Sequence, residues 1–141
     1  MGGAGGWPPL HGTVVTGVGE AAGFVTVPWV REKLRAWLGA EPYPGTLNLR
    51  IEDPADRATW QALASRGPCL TLPAGQEGFC DSSYLPVVLD ARLPGGVVRP
   101  HLPGYPADVL EVVAPVNLRA ALRVRDGDVV SVAVSTTGAG S

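Results

Sequence analysis

Apolar and polar positions alternate along much of the chain, in short runs that glycine and proline separate. The clearest run is 46–51, Thr-Leu-Asn-Leu-Arg-Ile, in which every second side chain is apolar. A period of two is typical of a strand with one buried face, and β-branched residues favour strands. By the same criteria, further strands are predicted at 11–16, 24–27, 84–89, 96–99, 109–113 and 129–134.

Three segments are predicted to be helices instead. At 28–38 the apolar residues recur every three or four positions, Pro28 occupies the first turn and Gly39 follows the last. Asp53 and Pro54 predict the N-cap and first residue of a second helix that ends near 66. A third helix is predicted to start at Pro115 and run to about 123. This order of elements predicts a mainly β fold, a small closed barrel with short helical inserts.

The sequence also predicts the turns, the domain limits and the two chain ends. Sharp turns are predicted at 92–95 and 126–128, whereas glycine and proline interrupt 69–80 too often for an assignment. We expect a flexible extension over residues 1–11, one domain over 12–134 and a frayed tail over 135–141.

Composition narrows the class of protein. The chain has 141 residues, 45% of them hydrophobic and 17% charged, which is typical of a folded domain. Its net charge of −2 predicts no general attraction to nucleic acid or to anionic membranes. No apolar run approaches the ~18 residues of a membrane span, so we expect a cytoplasmic protein. Cys69 and Cys80 match no common zinc motif, and whether they form a disulfide stays open.

The segment 42–49, Pro-Tyr-Pro-Gly-Thr-Leu-Asn-Leu, is the first candidate site. Its prolines and glycine favour a rigid turn that leads into a strand. Thr46 and Asn48 lie two residues apart, so both side chains point to one face. Their oxygens are hard, neutral ligands that suit Mg²⁺ when phosphates and water complete its shell. The alternative is a plain turn in which both side chains bond the local backbone.

Two further segments could bind phosphate. In Gly17–Gly23, Gly-Val-Gly-Glu-Ala-Ala-Gly, consecutive backbone N–H groups could surround an anion, although the segment is not a P-loop and, taken by itself, favours a wide hairpin. A helix that starts at Pro115 would direct its free N–H groups and positive dipole end at an anion, with Arg119 on the same side. The alternative is an ordinary amphipathic helix with a solvated arginine.

Glu111 is the fourth candidate, because valine and leucine flank it on both sides. A lone carboxylate in such a strand faces either solvent or a pocket. Position alone favours solvent, since charged side chains are seldom buried without a partner.

Taken together, these segments resemble the archaeal-type CTP-dependent riboflavin kinases from about residue 12 to residue 134. The matching motifs are G-x-V-x-T-G-x-G-E from Gly12, P-Y-P-G-T-L-N-L from Pro42, E-V-V-A-P-x-x-L-R from Glu111 and D-G-D-x-V from Asp126. The second motif is the specific one. The resemblance implies a six-stranded cradle-loop barrel that transfers the γ-phosphate of CTP to riboflavin, giving FMN and CDP.

The resemblance also implies roles for single residues. Thr46 and Asn48 match the Mg²⁺ ligands, and Glu111 matches a flavin-binding acid that could serve as the catalytic base. A polar flavin-contacting position falls on Pro103, with His101 or Tyr105 as possible substitutes. The nucleotide-binding positions match Val18, Gly19, Glu20, Ala21, Ala22, Gly23, Val116, Asn117, Leu118 and Arg119. Two residues depart from the family pattern: Ala21, where glycine is usual, and Pro103, which has no side-chain donor.

The sequence is also compatible with two other functions. The main alternative is a non-catalytic barrel that binds a flavin or a nucleotide as a sensor or carrier, and the third is a purely structural interaction barrel. Some family members carry an N-terminal DNA-binding domain, for which the eleven residues before Gly12 are too few. We therefore expect a free-standing, monomeric kinase whose partners are riboflavin, FMN, CTP and CDP, with neither nucleic acid nor a membrane.

Overall fold

The computed structural model describes residues 7–16, 27–67, 69–72, 82–101 and 104–135, and this part contains seven strands and three helices. The strands are β1 (Leu10–Val15), β2 (Leu47–Arg50), β3 (Leu70–Leu72), β4 (Ser82–Leu89), β5 (Leu93–Pro100), β6 (Val109–Val113) and β7 (Val129–Val134). The helices are α1 (Pro28–Leu38), α2 (Pro54–Arg66) and α3 (Leu118–Leu122).

Six of the strands close into an antiparallel barrel in the order β4-β5-β6-β2-β1-β7. Closure comes from β7, whose Val134 lies opposite Val87 of β4. The short β3 pairs with the other end of β4, where Leu70 lies opposite Tyr84. The predicted mainly β fold with a closed six-stranded barrel is confirmed.

The barrel interior is filled by alternate apolar side chains, as the period of two in the sequence predicts. Leu47 and Leu49 of β2 are buried there with Leu110 and Val112 of β6. Trp60 and Leu63 of α2 belong to the same core cluster, so this helix packs on the barrel core as expected from the sequence.

Helix α1 covers the outer face of β4, β5 and β6. Its Val30 and Leu34 are fully buried against Tyr84, Val98 and Val113. These strands are therefore buried on both faces. The predicted bounds are confirmed: the helix begins at Pro28, and Gly39 ends it in the left-handed region at φ 80°.

The hairpin between β4 and β5 corrects one prediction. We expected its turn at 92–95, but residues 90–92 form it, with Asp90 and Ala91 at positive φ, and the segment 93–95 belongs to β5. Gly95 and Gly96 serve packing instead. A Cβ on Gly95 would lie 2.8 Å from the Val113 carbonyl oxygen, and one on Gly96 would overlap the Tyr84 ring.

The start of the third helix is also corrected. Helix α3 begins at Leu118 rather than at Pro115, because Asn117 is the N-cap and its side chain accepts the Ala120 N–H. The helix ends at Leu122, one residue before the predicted end. The strand predicted from His11 begins at Leu10, and the predicted turn at 126–128 is present, with Gly127 at φ 96°.

Two further expectations concern the strand predicted at 24–27 and the two cysteines. Of the strand predicted at 24–27, residues 24–26 lie outside the described residues, and Val27 is the N-cap of α1. Cys69 is a free, half-buried thiol, and burial raises its pKa; Cys80 lies outside the described residues. Among the helices that the structure describes, none is long and apolar enough to cross a membrane.

Candidate active site

The turn before β2 is held against the end of β6. The Tyr43 N–H donates to the Ala114 carbonyl oxygen at 2.8 Å, and the Gly45 N–H donates to the Tyr43 carbonyl oxygen at 2.9 Å. Pro42 is buried, whereas the Tyr43 ring is 40% exposed. The rigid turn expected from the two prolines and the glycine is therefore fixed to a second strand of the barrel.

Thr46 and Asn48 point to one face, as predicted. The Thr46 hydroxyl donates to the Asn48 Oδ1, and the two oxygens lie 3.2 Å apart in a half-buried position. Adjacent ligands of an octahedral Mg²⁺ ion lie about 3 Å apart, given metal–oxygen distances of roughly 2.1 Å. The pair therefore fits two neighbouring positions of such a shell. In the described part of the chain no three His, Cys, Asp or Glu side chains form a metal cluster, so phosphate and water oxygens would have to complete the shell.

Glu111 lies directly opposite Asn48 in the β2–β6 pair. Side chains of opposite residues stand on one face of a sheet with Cβ atoms about 5 Å apart. The register therefore brings the predicted base next to a predicted metal ligand. Sequence spacing could not show this, because the two residues are 63 positions apart in the chain (111 − 48).

The Glu111 side chain is fully buried, with 0% exposure. The solvent-facing alternative, which position alone favoured, is therefore wrong. The Tyr105 hydroxyl donates to Glu111 Oε2 at 2.5 Å. Of the two residues considered as substitutes for Pro103, Tyr105 reaches the acid, whereas His101 Nε2 lies 2.6 Å from the Ser83 hydroxyl.

A groove of about 180 Å³ lies between the turn before β2 and the segment that leads into α3. Its lining residues are Tyr43, Gly45, Thr46, Leu47, Val112, Ala114, Val116, Asn117, Leu118 and Arg119. Asn117 bridges the two walls, because its Nδ2 donates to the Tyr43 hydroxyl at 3.0 Å while its Oδ1 caps α3. One predicted metal ligand, Thr46, thus shares a groove with the four residues predicted from 116–119 to bind the nucleotide.

Arg119 stands at this groove with a fixed guanidinium. Its Nη2 donates to Thr16 Oγ1 at 2.8 Å and to Asp126 Oδ1 at 2.5 Å. The Thr16 hydroxyl also donates to Asp126 Oδ1, at 2.6 Å. These hydrogen bonds, first that of Arg119 and then that of Thr16, lower the pKa of the exposed Asp126 carboxyl. We call this set of three side chains the Arg119 ring.

Several predicted site residues lie outside the described residues: Val18, Gly19, Glu20, Ala21, Ala22, Gly23 and Pro103. Their assigned roles stay predictions. Conversely, Tyr43, Thr16 and Asp126 received no individual role from the sequence, although each falls within a quoted motif. Their contacts join segments far apart in the chain, so no local pattern could assign them.

Comparison with known proteins shows the family to which this chain belongs. The family model CTP-dep_RFKase, described as a domain of unknown function, DUF120, matches residues 14–134. That match covers most of the chain. The chain belongs to the CTP-dependent riboflavin kinase family. The resemblance found in the sequence motifs is therefore confirmed.

Several curated proteins similar to this chain are riboflavin kinases, which agrees with the family match. A riboflavin kinase of Aeropyrum pernix is 38% identical over 84% of this chain and 89% of its own length. One of Methanothermobacter thermautotrophicus is 36% identical over 86% of this chain and 95% of its own length. A riboflavin kinase of Methanocella arvoryzae is 34% identical over 91% of this chain, which spans only 58% of that protein's length.

Proposed function

We propose that this family member transfers the γ-phosphate of CTP to the 5′-hydroxyl of the ribityl chain of riboflavin, giving FMN and CDP. Family membership and the riboflavin kinases among its relatives support phosphorylation of riboflavin to FMN, and they do not favour a non-catalytic carrier. In this reaction the hydroxyl oxygen forms a bond to the γ-phosphorus. The bond from that phosphorus to the bridging oxygen of CDP breaks, and the hydroxyl proton passes to a base.

One observation carries the assignment of roles: Asn48 lies directly opposite Glu111 in the β2–β6 pair and accepts a hydrogen bond from Thr46, which lines the same groove as Arg119. Phosphoryl transfer depends on positioning and charge neutralisation more than on covalent chemistry. A metal-binding oxygen pair, a buried carboxylate and an anchored arginine within one region supply those requirements.

Thr46 and Asn48 would hold Mg²⁺ through Oγ1 and Oδ1. Because both ligands are neutral, the full positive charge of a bound ion would remain available to the phosphates of CTP. The 3.2 Å separation of the two oxygens supports this role.

Glu111 would accept the hydrogen bond of the attacking hydroxyl and then its proton. Its burial keeps water away from the carboxylate, and the Tyr105 hydroxyl bound to Oε2 holds its orientation. A positioned base of this kind typically contributes 10²–10⁴-fold to the rate. The assignment of flavin contacts to Glu111 and to the position of Pro103 is part of the same proposal.

The nucleotide would be held by two segments. One is 116–119, which lines the groove and presents the Arg119 guanidinium; the other is the glycine-rich segment 18–23, assigned by the family resemblance. Arg119 is the one charged residue of 116–119, and charge-assisted bonds from arginine to phosphate are among the strongest in proteins, so it would supply the positive charge of the first segment.

Other expectations stay predictions: the domain limits, a monomeric state, a cytoplasmic location and the absence of nucleic acid or membrane partners. The net charge of −2 supports the last of these, because it gives no general attraction to nucleic acid or to anionic membranes.

The choice of phosphate donor can be tested directly. We predict that the purified protein forms FMN from riboflavin and CTP in the presence of Mg²⁺, and forms at least about 10-fold less with ATP. The sequence has no P-loop of the kind that many ATP-dependent kinases use. The measurement is chromatographic quantification of FMN after incubation with each nucleoside triphosphate.

Two outcomes would contradict this proposal. Equal or better turnover with ATP would overturn the assignment of CTP. If no triphosphate gave FMN while calorimetry showed flavin or nucleotide binding that was independent of Mg²⁺, the protein would be a carrier.

A further inference from the structure

The Arg119 ring contains an acid, Asp126, that does not line the groove and to which no role in the reaction has been given. We propose that Asp126 is a positioning residue for CTP, which acts by holding the Arg119 guanidinium at the groove. This inference rests on the proposed function, because it concerns how the same site recognises a nucleoside triphosphate.

The first argument is the way in which Arg119 is held. Its two side-chain hydrogen bonds to the residues that the structure describes, to Asp126 Oδ1 and to Thr16 Oγ1, use the same nitrogen, Nη2. A guanidinium has five N–H donors, of which two belong to Nη2. Within the described part of the chain, the Nε–H and the two Nη1–H donors have no protein acceptor. The ring therefore fixes one end of the guanidinium and leaves the other donors available for phosphate oxygens.

The second argument is the entropy of the side chain. Arg119 is 39% exposed, and an unrestrained arginine on the surface samples many rotamers. Ordering such a side chain during binding costs affinity, whereas a residue held in advance avoids that cost. Because one carboxylate oxygen of Asp126 accepts from both Arg119 and Thr16, it restrains the two side chains together.

The third argument is the position of the ring in the chain. It joins the first turn of α3 to the end of β1 and to the turn at 126–128. Thr16 directly precedes Gly17, where the glycine-rich segment begins in the sequence. Asp126 thus ties Arg119 to the residue that precedes the glycine-rich segment in the sequence, and it is not among the residues that line the groove.

The test compares matched substitutions in one turn. Asp126→Asn removes the negative charge that faces Arg119 but keeps an oxygen acceptor. Asp126→Ala removes the charge and the acceptor together. Asp128→Asn and Asp128→Ala make the same changes two residues away, where the carboxylate accepts only the Arg125 N–H, at 3.0 Å, in the described part of the chain. The readouts are KM for CTP, KM for riboflavin, kcat and the dissociation constant of CDP by calorimetry, with melting temperatures as the fold control.

We expect Asp126→Ala to raise KM for CTP and the dissociation constant of CDP by about 10-fold, roughly the effect of one lost charged hydrogen bond. KM for riboflavin should change less than twofold. Asp126→Asn should fall between Asp126→Ala and wild type, because an amide oxygen can still accept but carries no charge. Both Asp128 variants should bind CDP as wild type does.

A double-mutant cycle separates positioning from an independent effect. If Asp126 acts through Arg119, Arg119→Ala with Asp126→Ala should weaken CDP binding no more than Arg119→Ala alone. Additive losses, equal effects of the Asp126 and Asp128 substitutions, or parallel losses for CDP and riboflavin would each overturn the inference. Should Asp126→Ala fail to fold, Asp126→Asn decides the question by the same criteria. If wild type makes no FMN and binds no CDP, the proposed function fails, and the inference fails with it.

Discussion

Glu111→Gln is expected to lower kcat for FMN formation by more than about 10-fold while the dissociation constant of CDP changes less than twofold. Glutamine keeps the shape of the buried side chain, and its amide oxygen can still accept from the Tyr105 hydroxyl, as Glu111 Oε2 does at 2.5 Å. What is lost is the negative charge and the ability to take up the proton of the attacking hydroxyl. The measurement is steady-state kinetics in both substrates together with calorimetry of CDP.

A matched control for this substitution is Glu52→Gln, the same change on an exposed glutamate. We expect it to leave kcat within twofold of wild type. A loss below twofold in Glu111→Gln would exclude Glu111 as the base. Equal losses in kcat and in CDP binding, with a lowered melting temperature, would instead show that the buried carboxylate mainly supports the fold.

The second large effect concerns the metal. Asn48→Ala is expected to raise the Mg²⁺ concentration for half-maximal activity by about 10-fold or more, since mutations even of groups that only support metal ligands cost 10–100-fold. Asn48→Leu should be worse, because it also fills the space of the ion. Thr46→Val keeps the β-branched shape that suits the start of a strand, so the fold should survive while activity falls. The measurement is a Mg²⁺ titration of activity, with melting temperatures for each variant.

The two ligands should behave as one site. Their oxygens lie 3.2 Å apart at the start of a strand that the neighbouring turn holds in place. The double mutant of Thr46 and Asn48 should therefore lose much less than the product of the two single losses. Thr13→Val, on the neighbouring strand β1, is the matched control and should leave the Mg²⁺ dependence unchanged. Unchanged dependence in folded single mutants would mean that Thr46 and Asn48 only form the turn.

The elements that sequence predicted well are those with strong local signals. The apolar run at 109–113 is strand β6 with the predicted bounds, and Pro28 and Gly39 mark the ends of α1 as expected. Asp53 is the N-cap of α2, where its side chain accepts the Asp56 N–H. In these places the local preference and the tertiary structure agree.

The predicted bounds of turns and helices are wrong where tertiary packing, rather than the local backbone conformation, determines which residue occupies the position. Pro94 and Gly95 resemble a turn, but Gly95 is needed because the Val113 carbonyl oxygen passes too close for a Cβ. Ala91, which does lie in the turn, has φ 55°, a conformation typical of glycine that an alanine in the sequence does not predict. Pro115 resembles a helix start, yet the helix begins three residues later, at Leu118, because the Ala120 N–H donates to the side chain of the N-cap Asn117.

The candidate site residues could be named one by one from the sequence, but their arrangement could not, and their roles stay predictions. Thr46 and Asn48 could be paired from their spacing, because a strand brings i and i+2 to one face. The pairing of Asn48 with Glu111 depends on the register of β2 and β6, and the Arg119 ring joins Thr16 to Asp126 across 110 residues. Both arrangements follow from tertiary structure, which no local pattern records.

The most direct test of the central claim follows the phosphate itself. Wild-type protein is incubated with riboflavin, Mg²⁺ and CTP labelled with ³²P in the γ position, and the products are separated by chromatography. We predict labelled FMN and unlabelled CDP in equal molar amounts, with no labelled FMN when riboflavin is omitted. Label that appears only as inorganic phosphate, or stays in CTP while riboflavin is bound unchanged, would contradict the assignment of this chain as a CTP-dependent riboflavin kinase.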